Sequence, residues 1–179
     1  MRAEAINWLC AAAAYMVGVG SSTSVVDASA EWLAVGPDSE ALFNLAEIRD
    51  PSKALGVDVH EWIHQALAEA GWPEPSQEEW AWLATYCFLT HSPTAAPEVI
   101  ARFLARLPRA LPTEFELLSG FMADTDDLDD GLDPGPIHCK TLERYRAVRP
   151  ELMATAPGGL VGYGVDVHSY VTTCGGDGK

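Results

Sequence analysis

Apolar residues return every three or four positions along most of this chain, and glycine, proline or short polar breaks interrupt them again and again. That rhythm is the period of an α-helix, and it limits the fold more tightly than any single motif does. The spacing predicts a helix over 4–17, with Ile6, Leu9, Ala13 and Met16 on one stripe, and a shorter one over 25–35, stopped by Gly36-Pro37. Asp38 is placed to cap a third, which turns Ala41, Leu42, Leu45 and Ile48 inward and ends at Asp50-Pro51. Asp58 with Glu61 reads as a capping box for the next, whose stripe is Ile63, Ala66, Leu67 and Ala70 and whose stop is Gly71. Ser76 with Glu79 opens a helix through Trp80, Leu83, Tyr86 and Cys87.

Pro97 suits the first turn of a further helix, carrying Ile100, Phe103, Leu104 and Leu107 and stopped by Pro108. Thr113 with Glu116 starts another, with Phe115, Leu118, Phe121 and Met122. Residues 124–135 then read as an Asp-rich loop closed by Pro134 and Pro136. A basic helix with Leu142, Tyr145 and Val148 inward follows it. Linkers of two to eight residues imply antiparallel neighbours. The expected fold is therefore all-α: an antiparallel bundle of six to eight helices over residues 1–157. A glycine-rich, extended or strand-like tail over 158–179 follows it.

A chain of 179 residues buries roughly 70% of its unfolded surface, so a core without staples is expected. The six tryptophans, at helical spacing, read as core before interface. Acidic residues outnumber basic ones by 26 to 11, a formal net charge of −15. Such a surface repels nucleic-acid phosphates and anionic membranes; it suits a basic protein partner, or serves only solubility. The four cysteines, Cys10, Cys87, Cys139 and Cys174, form no C-x-x-C pair. Cys87 reads as a core thiol, and a reduced, cytoplasmic setting follows from that. The apolar stretch 9–20 with Ala28-Ser29-Ala30 after it has some look of a weak secretion signal. Glu4 offsets Arg2, however, and a buried first helix is the preferred reading.

The segment Asp38-Ser39-Glu40-Ala41-Leu42-Phe43-Asn44-Leu45-Ala46-Glu47-Ile48, followed by Ala66-Leu67-Ala68-Glu69-Ala70-Gly71, resembles a group of small uncharacterised actinobacterial helical proteins. Gly120-Phe121-Met122 leading into the Asp-rich stretch is similar to their C-terminal half, so the resemblance covers about residues 30 to 150. It implies a helical fold. The group has no assigned activity, so it implies no functional residue.

Three constellations bear on chemistry. In His60-Glu61-x-x-His64, two imidazoles four apart on one helix face could hold Zn²⁺, with Glu61 as general base on a metal-bound water; this is the zinc-hydrolase (peptidase) alternative. A catalytic zinc needs a third protein ligand, for which Glu78, Glu79 and Glu98 are the acidic candidates. The bland alternative is a pair of boundary histidines beside an apolar stripe. Second, Asp124, Asp126, Asp127, Asp129, Asp130 and Asp133 form an acidic cluster, read as an interaction patch for a basic partner or as a solvated loop. An EF-hand register fails: starting at Asp127, Gly131 falls one place early and His138 stands where Glu is needed. Third, His138, Cys139, His168 and Cys174 are zinc-type residues in no zinc-binding spacing. The leading expectation is a non-catalytic, acidic protein-interaction module, immunity- or antitoxin-like, with no cofactor. An ion pair is also expected between Arg144, Arg146 or Arg149 and a carboxylate in 114–133.

Overall fold

The computed structural model describes residues 3–50, 56–91 and 95–155. The expected 158–179 tail, with His168 and Cys174, lies outside them. The fold is all-α: the described residues hold eight α-helices and no strand. They are α1 (Ala3–Met16), α2 (Ser22–Ala34), α3 (Glu40–Ala46), α4 (Gly56–Glu69), α5 (Gln77–His91), α6 (Pro97–Leu104), α7 (Phe115–Asp129) and α8 (Pro134–Thr155). Two 3₁₀ turns, Leu107–Arg109 and Pro112–Glu114, join α6 to α7. Among the described residues no helix is long and apolar enough to cross a membrane. The chain groups into two compact units that divide within α5, between Ala84 and Thr85.

In the first unit α1 packs on α2, α2 on α3 and α3 on α4. Its core is built on indoles. Trp8 is fully buried, with ring centroids 5.2 Å from Trp32 and 6.3 Å from Trp72; Trp32 and Trp72 stack at 5.4 Å. The Trp8 Nε1 donates to Ser29 Oγ (2.9 Å), and Ser29 in turn donates to the Val25 carbonyl (2.8 Å), so the buried indole N–H is satisfied inside the core. The 28–30 segment, read above as part of a weak secretion signal, is the middle of α2, with Ala28 and Ser29 buried. Ser39, one residue after the expected Asp38, caps α3 by accepting from the Leu42 N–H (3.1 Å). The Ser39 hydroxyl also donates to Glu69 Oε2 (2.6 Å), which ties the start of α3 to the end of α4. Burial pushes the Glu69 carboxyl up, but bonds from Ser39, Gln65 and the Ala41 and Glu40 amides together outweigh it and hold the group below its usual range.

Several helix starts differ from expectation. α4 begins at Gly56, so Asp58 lies inside its first turn and the Asp58–Glu61 capping box does not form. The Ser76–Glu79 box does: the Ser76 N–H donates to Glu79 Oε2 (2.7 Å), and the Glu79 N–H donates to Ser76 Oγ (3.2 Å). Thr113 sits in a 3₁₀ turn, and Glu114 precedes α7 with no side-chain cap. On α5 every residue from Trp80 to Cys87 is buried, which fits a helix that is apolar all round. Cys87 is buried as expected, but it is a half-cystine and not a free thiol, because its sulfur is disulfide-bonded.

In the second unit α6, α7 and α8 pack on one another, with Ile100, Leu104, Leu118, Phe121, Tyr145 and Leu152 in the core. Met122, expected inward, is exposed. The Asp-rich stretch is not a loop. Residues 124–129 are the final turns of α7, and the connection to α8 is a tight turn with Gly131 at φ 76°, a left-handed position that favours glycine. Pro134 starts α8 instead of closing a loop: its missing N–H costs nothing in the first turn, and Asp133 caps the helix by accepting from the Gly135 N–H (3.1 Å).

Candidate functional site

Asp124 is completely buried, and it pulls three α8 side chains onto α7. Its Oδ2 accepts from Thr141 Oγ1 (3.0 Å) and from Arg144 Nη1, and its Oδ1 lies 3.3 Å from Lys140 Nζ. Arg144 also donates to the Gly120 carbonyl (2.6 Å) and lies over the Phe121 ring at 5.5 Å. Gly120 makes the approach possible, because a Cβ there would stand 2.6 Å from Arg144 Cζ. The expected ion pair between the basic helix and the acidic segment is present in Arg144–Asp124. The pairing removes Asp124 from the interaction patch: it is a core carboxylate, hydrogen-bonded at Oδ2, with the Lys140 ammonium near an Oδ1 that has no hydrogen bond of its own.

The other aspartates remain at the surface. Asp126, Asp130 and Asp133 are exposed and Asp127 is half-buried. Asp129 pairs with Arg102 Nη2 (2.7 Å), and Glu98 takes the same guanidinium at Nε (3.1 Å). No described residue forms an ion pair with Asp126, Asp127 or Asp130. The last turn of α7 contains no basic residue. These charges therefore stand at the carbonyl end of a helix, its negative pole, where like charge is unfavourable. Asp126 and Asp130 are also four apart, a repulsive spacing.

His60, Glu61 and His64 lie on α4 as expected, but their surroundings differ from a zinc centre's. His60 is exposed and meets the Tyr15 ring edge-on at 5.3 Å. Glu61 is exposed, and the half-exposed His64 points Nδ1 at Glu74 Oε1, 3.4 Å away. Of the named third-ligand candidates, Glu79 is held in its cap, Glu98 pairs with Arg102, and Glu78 is exposed. Among the described residues no group of three or more His, Cys, Asp or Glu side chains is gathered as a metal would need. Cys139 is exposed and free, and the neighbouring His138 keeps Nε2 buried without a partner.

The feature that helix periodicity did not reveal is a cavity of about 550 Å³ between the start of α6 and the second half of α8. Tyr145 and Arg149 line it, among Pro97, Ile100, Leu142 and Pro150. The one sequence signal for it is Pro150 inside α8, where the ring removes a helix hydrogen bond beside two arginines. Comparison with protein-family models, with characterised proteins and with solved structures returned no match.

Proposed function

We propose that the protein is a non-catalytic binding module whose acidic tip, at the end of α7 and the turn into α8, engages a basic protein partner. One observation carries this reading. Asp126, Asp127 and Asp130 crowd the negative pole of α7 without counter-charges, a placement that weakens the fold. Charges placed where they cost stability point to a role outside folding. Asp124 belongs to the core, and Asp129 shares Arg102 with Glu98, so the docking charge is that of Asp126, Asp127, Asp130 and Asp133. A small, acidic, helical chain that neutralises a basic protein has the profile of immunity and antitoxin proteins, an analogy of class and not of descent.

The half-cystine at Cys87 favours an oxidising compartment over the reduced cytoplasm inferred from cysteine spacing. Thiol titration under native conditions, before and after reduction, tests this. Release of new thiols on reduction supports it, and full native reactivity refutes it.

The binding claim is tested by titrating isotope-labelled protein with a lysine-rich helical peptide. Amide shifts should centre on the C-terminal turn of α7 and disappear at about 1 M salt, where the screening length falls to about 3 Å. They should also disappear in Asp126→Asn/Asp127→Asn/Asp130→Asn. A control with the same charge change at exposed sites elsewhere, Glu31→Gln/Glu47→Gln/Glu78→Gln, should keep them. Shifts spread evenly over the acidic surface, or equal loss in both variants, would refute a localised tip.

A further inference from the structure

We infer that Leu132 is the apolar anchor of the acidic tip, and that the partner seated there is a cationic amphipathic helix, with large apolar side chains among its lysines and arginines; this rests on the docking role proposed above. Three helices, α1, α4 and α7, end in the same way, on a left-handed glycine at Gly18, Gly71 and Gly131. At each, the N–H of the residue after the glycine donates to the carbonyl five positions back: Val19 to Ala14, Trp72 to Leu67 and Leu132 to Asp127. The glycine N–H donates three positions back, to Tyr15, Ala68 and Leu128. In such an ending the residue after the glycine commonly packs on the side chains five and six positions before it.

At α1 and α4 those positions are apolar: Ala13 and Ala14 for Val19, Ala66 and Leu67 for Trp72, and both Val19 and Trp72 are half-buried. At α7 they are Asp126 and Asp127. Leu132 therefore lacks the apolar pair that the other two endings have, and it is 54% exposed, the most exposed large apolar side chain among the described residues. A lone exposed leucine says little. Here the same chain builds the same helix ending twice with its apolar pair and once with carboxylates in its place. The chain neighbours Asp130 and Asp133 are exposed as well. Met122, Asp126 and Asp130, four apart, run down one side of α7, and Met122 is exposed too. The tip is thus a helical ridge with apolar side chains at its ends and carboxylates between them. Its complement is a helix that is cationic and apolar on one face: the carboxylates draw lysine and arginine, and the leucine leaves water when it is covered.

Two labelled lysine-rich helical peptides, titrated with the full chain and followed by fluorescence anisotropy, test the anchor. They are identical except that the leucines beside the lysines in one are alanines in the other. The leucine peptide should bind about tenfold tighter, the worth of covering an exposed leucine. Leu132→Ala should bring it down to the affinity of the alanine peptide without changing the melting temperature, since the side chain is exposed and lies beyond the last residue of α7. Phe43→Ala, on α3 and similarly exposed at 50%, should change neither peptide. Equal affinity of the two peptides for the native chain, an unchanged leucine-peptide affinity in Leu132→Ala, or the same loss in Phe43→Ala would overturn the anchor while the charged tip stands. Failure of both peptides to bind at millimolar concentration would overturn the tip, and the anchor with it.

Discussion

In the unit built on α1 to α4, the buried polar contact at the centre is neutral: an indole N–H on a serine hydroxyl, Trp8 on Ser29. In the unit built on α6 to α8 it is charged: Asp124, fully buried, holds Thr141, Arg144 and Lys140. The difference lies in what each centre asks of its neighbours. A neutral centre needs shape, and three tryptophans within 6.3 Å supply it. A charged centre needs compensation, and α8 devotes two of its cations to one carboxylate. The consequence reaches the surface, because those cations are no longer available to the aspartates further along α7.

The comparison is broken most severely by removing either centre. Asp124→Ala strands the largely buried Arg144 guanidinium, whereas the exposed Lys140 can turn to water, and truncating one partner of a buried pair costs about 3–5 kcal/mol. Trp8→Ala should cost about as much, through a cavity instead of an uncompensated charge. The two are separable by salt: denaturant unfolding of Asp124→Ala should depend on ionic strength more than that of Trp8→Ala, and equal dependence would count against a charged centre. Next in size is Gly120→Ala. In a helix interior this change ordinarily stabilises by up to about 1 kcal/mol. Here the new Cβ would displace the Arg144 guanidinium, and a net loss of about 1–3 kcal/mol is expected from unfolding curves.

A smaller effect sharpens the neutral side. Glu69 is held below its ordinary 4.5, so its contribution is present above that value and lost as pH falls through the lower folded value. Glu69→Gln should flatten that part of the acid limb of stability, measured as melting temperature against pH. An unchanged acid limb would show that the Ser39–Glu69 clamp adds nothing.

Helix existence was legible in the sequence because period and punctuation agree: Ser76 with Glu79, and Pro97 in a first turn, form as expected. The ends were less legible where one polar residue competes with its neighbour, as Ser39 does with Asp38. Residues 124–129 misled because aspartate disfavours helix interiors, yet a buried Asp124 bonded to α8 overrides local propensity. Which of six aspartates is core could not be read from spacing alone. The paired histidines were legible as one face of a helix, but whether a third ligand meets them depends on packing, which periodicity does not encode.

The central claim is that Asp124 and the aspartates beyond it on the same helix act in opposite senses. Denaturant unfolding at low ionic strength of Asp124→Asn against Asp126→Asn/Asp127→Asn/Asp130→Asn tests this directly, since both variants remove negative charge near one end of α7. The account predicts opposite signs: a loss of several kcal/mol for the buried site, and a gain of about 0.3–1 kcal/mol for each charge relieved at the helix pole. Destabilisation of the triple variant would contradict it, because those aspartates would then be structural and the acidic tip would not be surplus charge held for a partner.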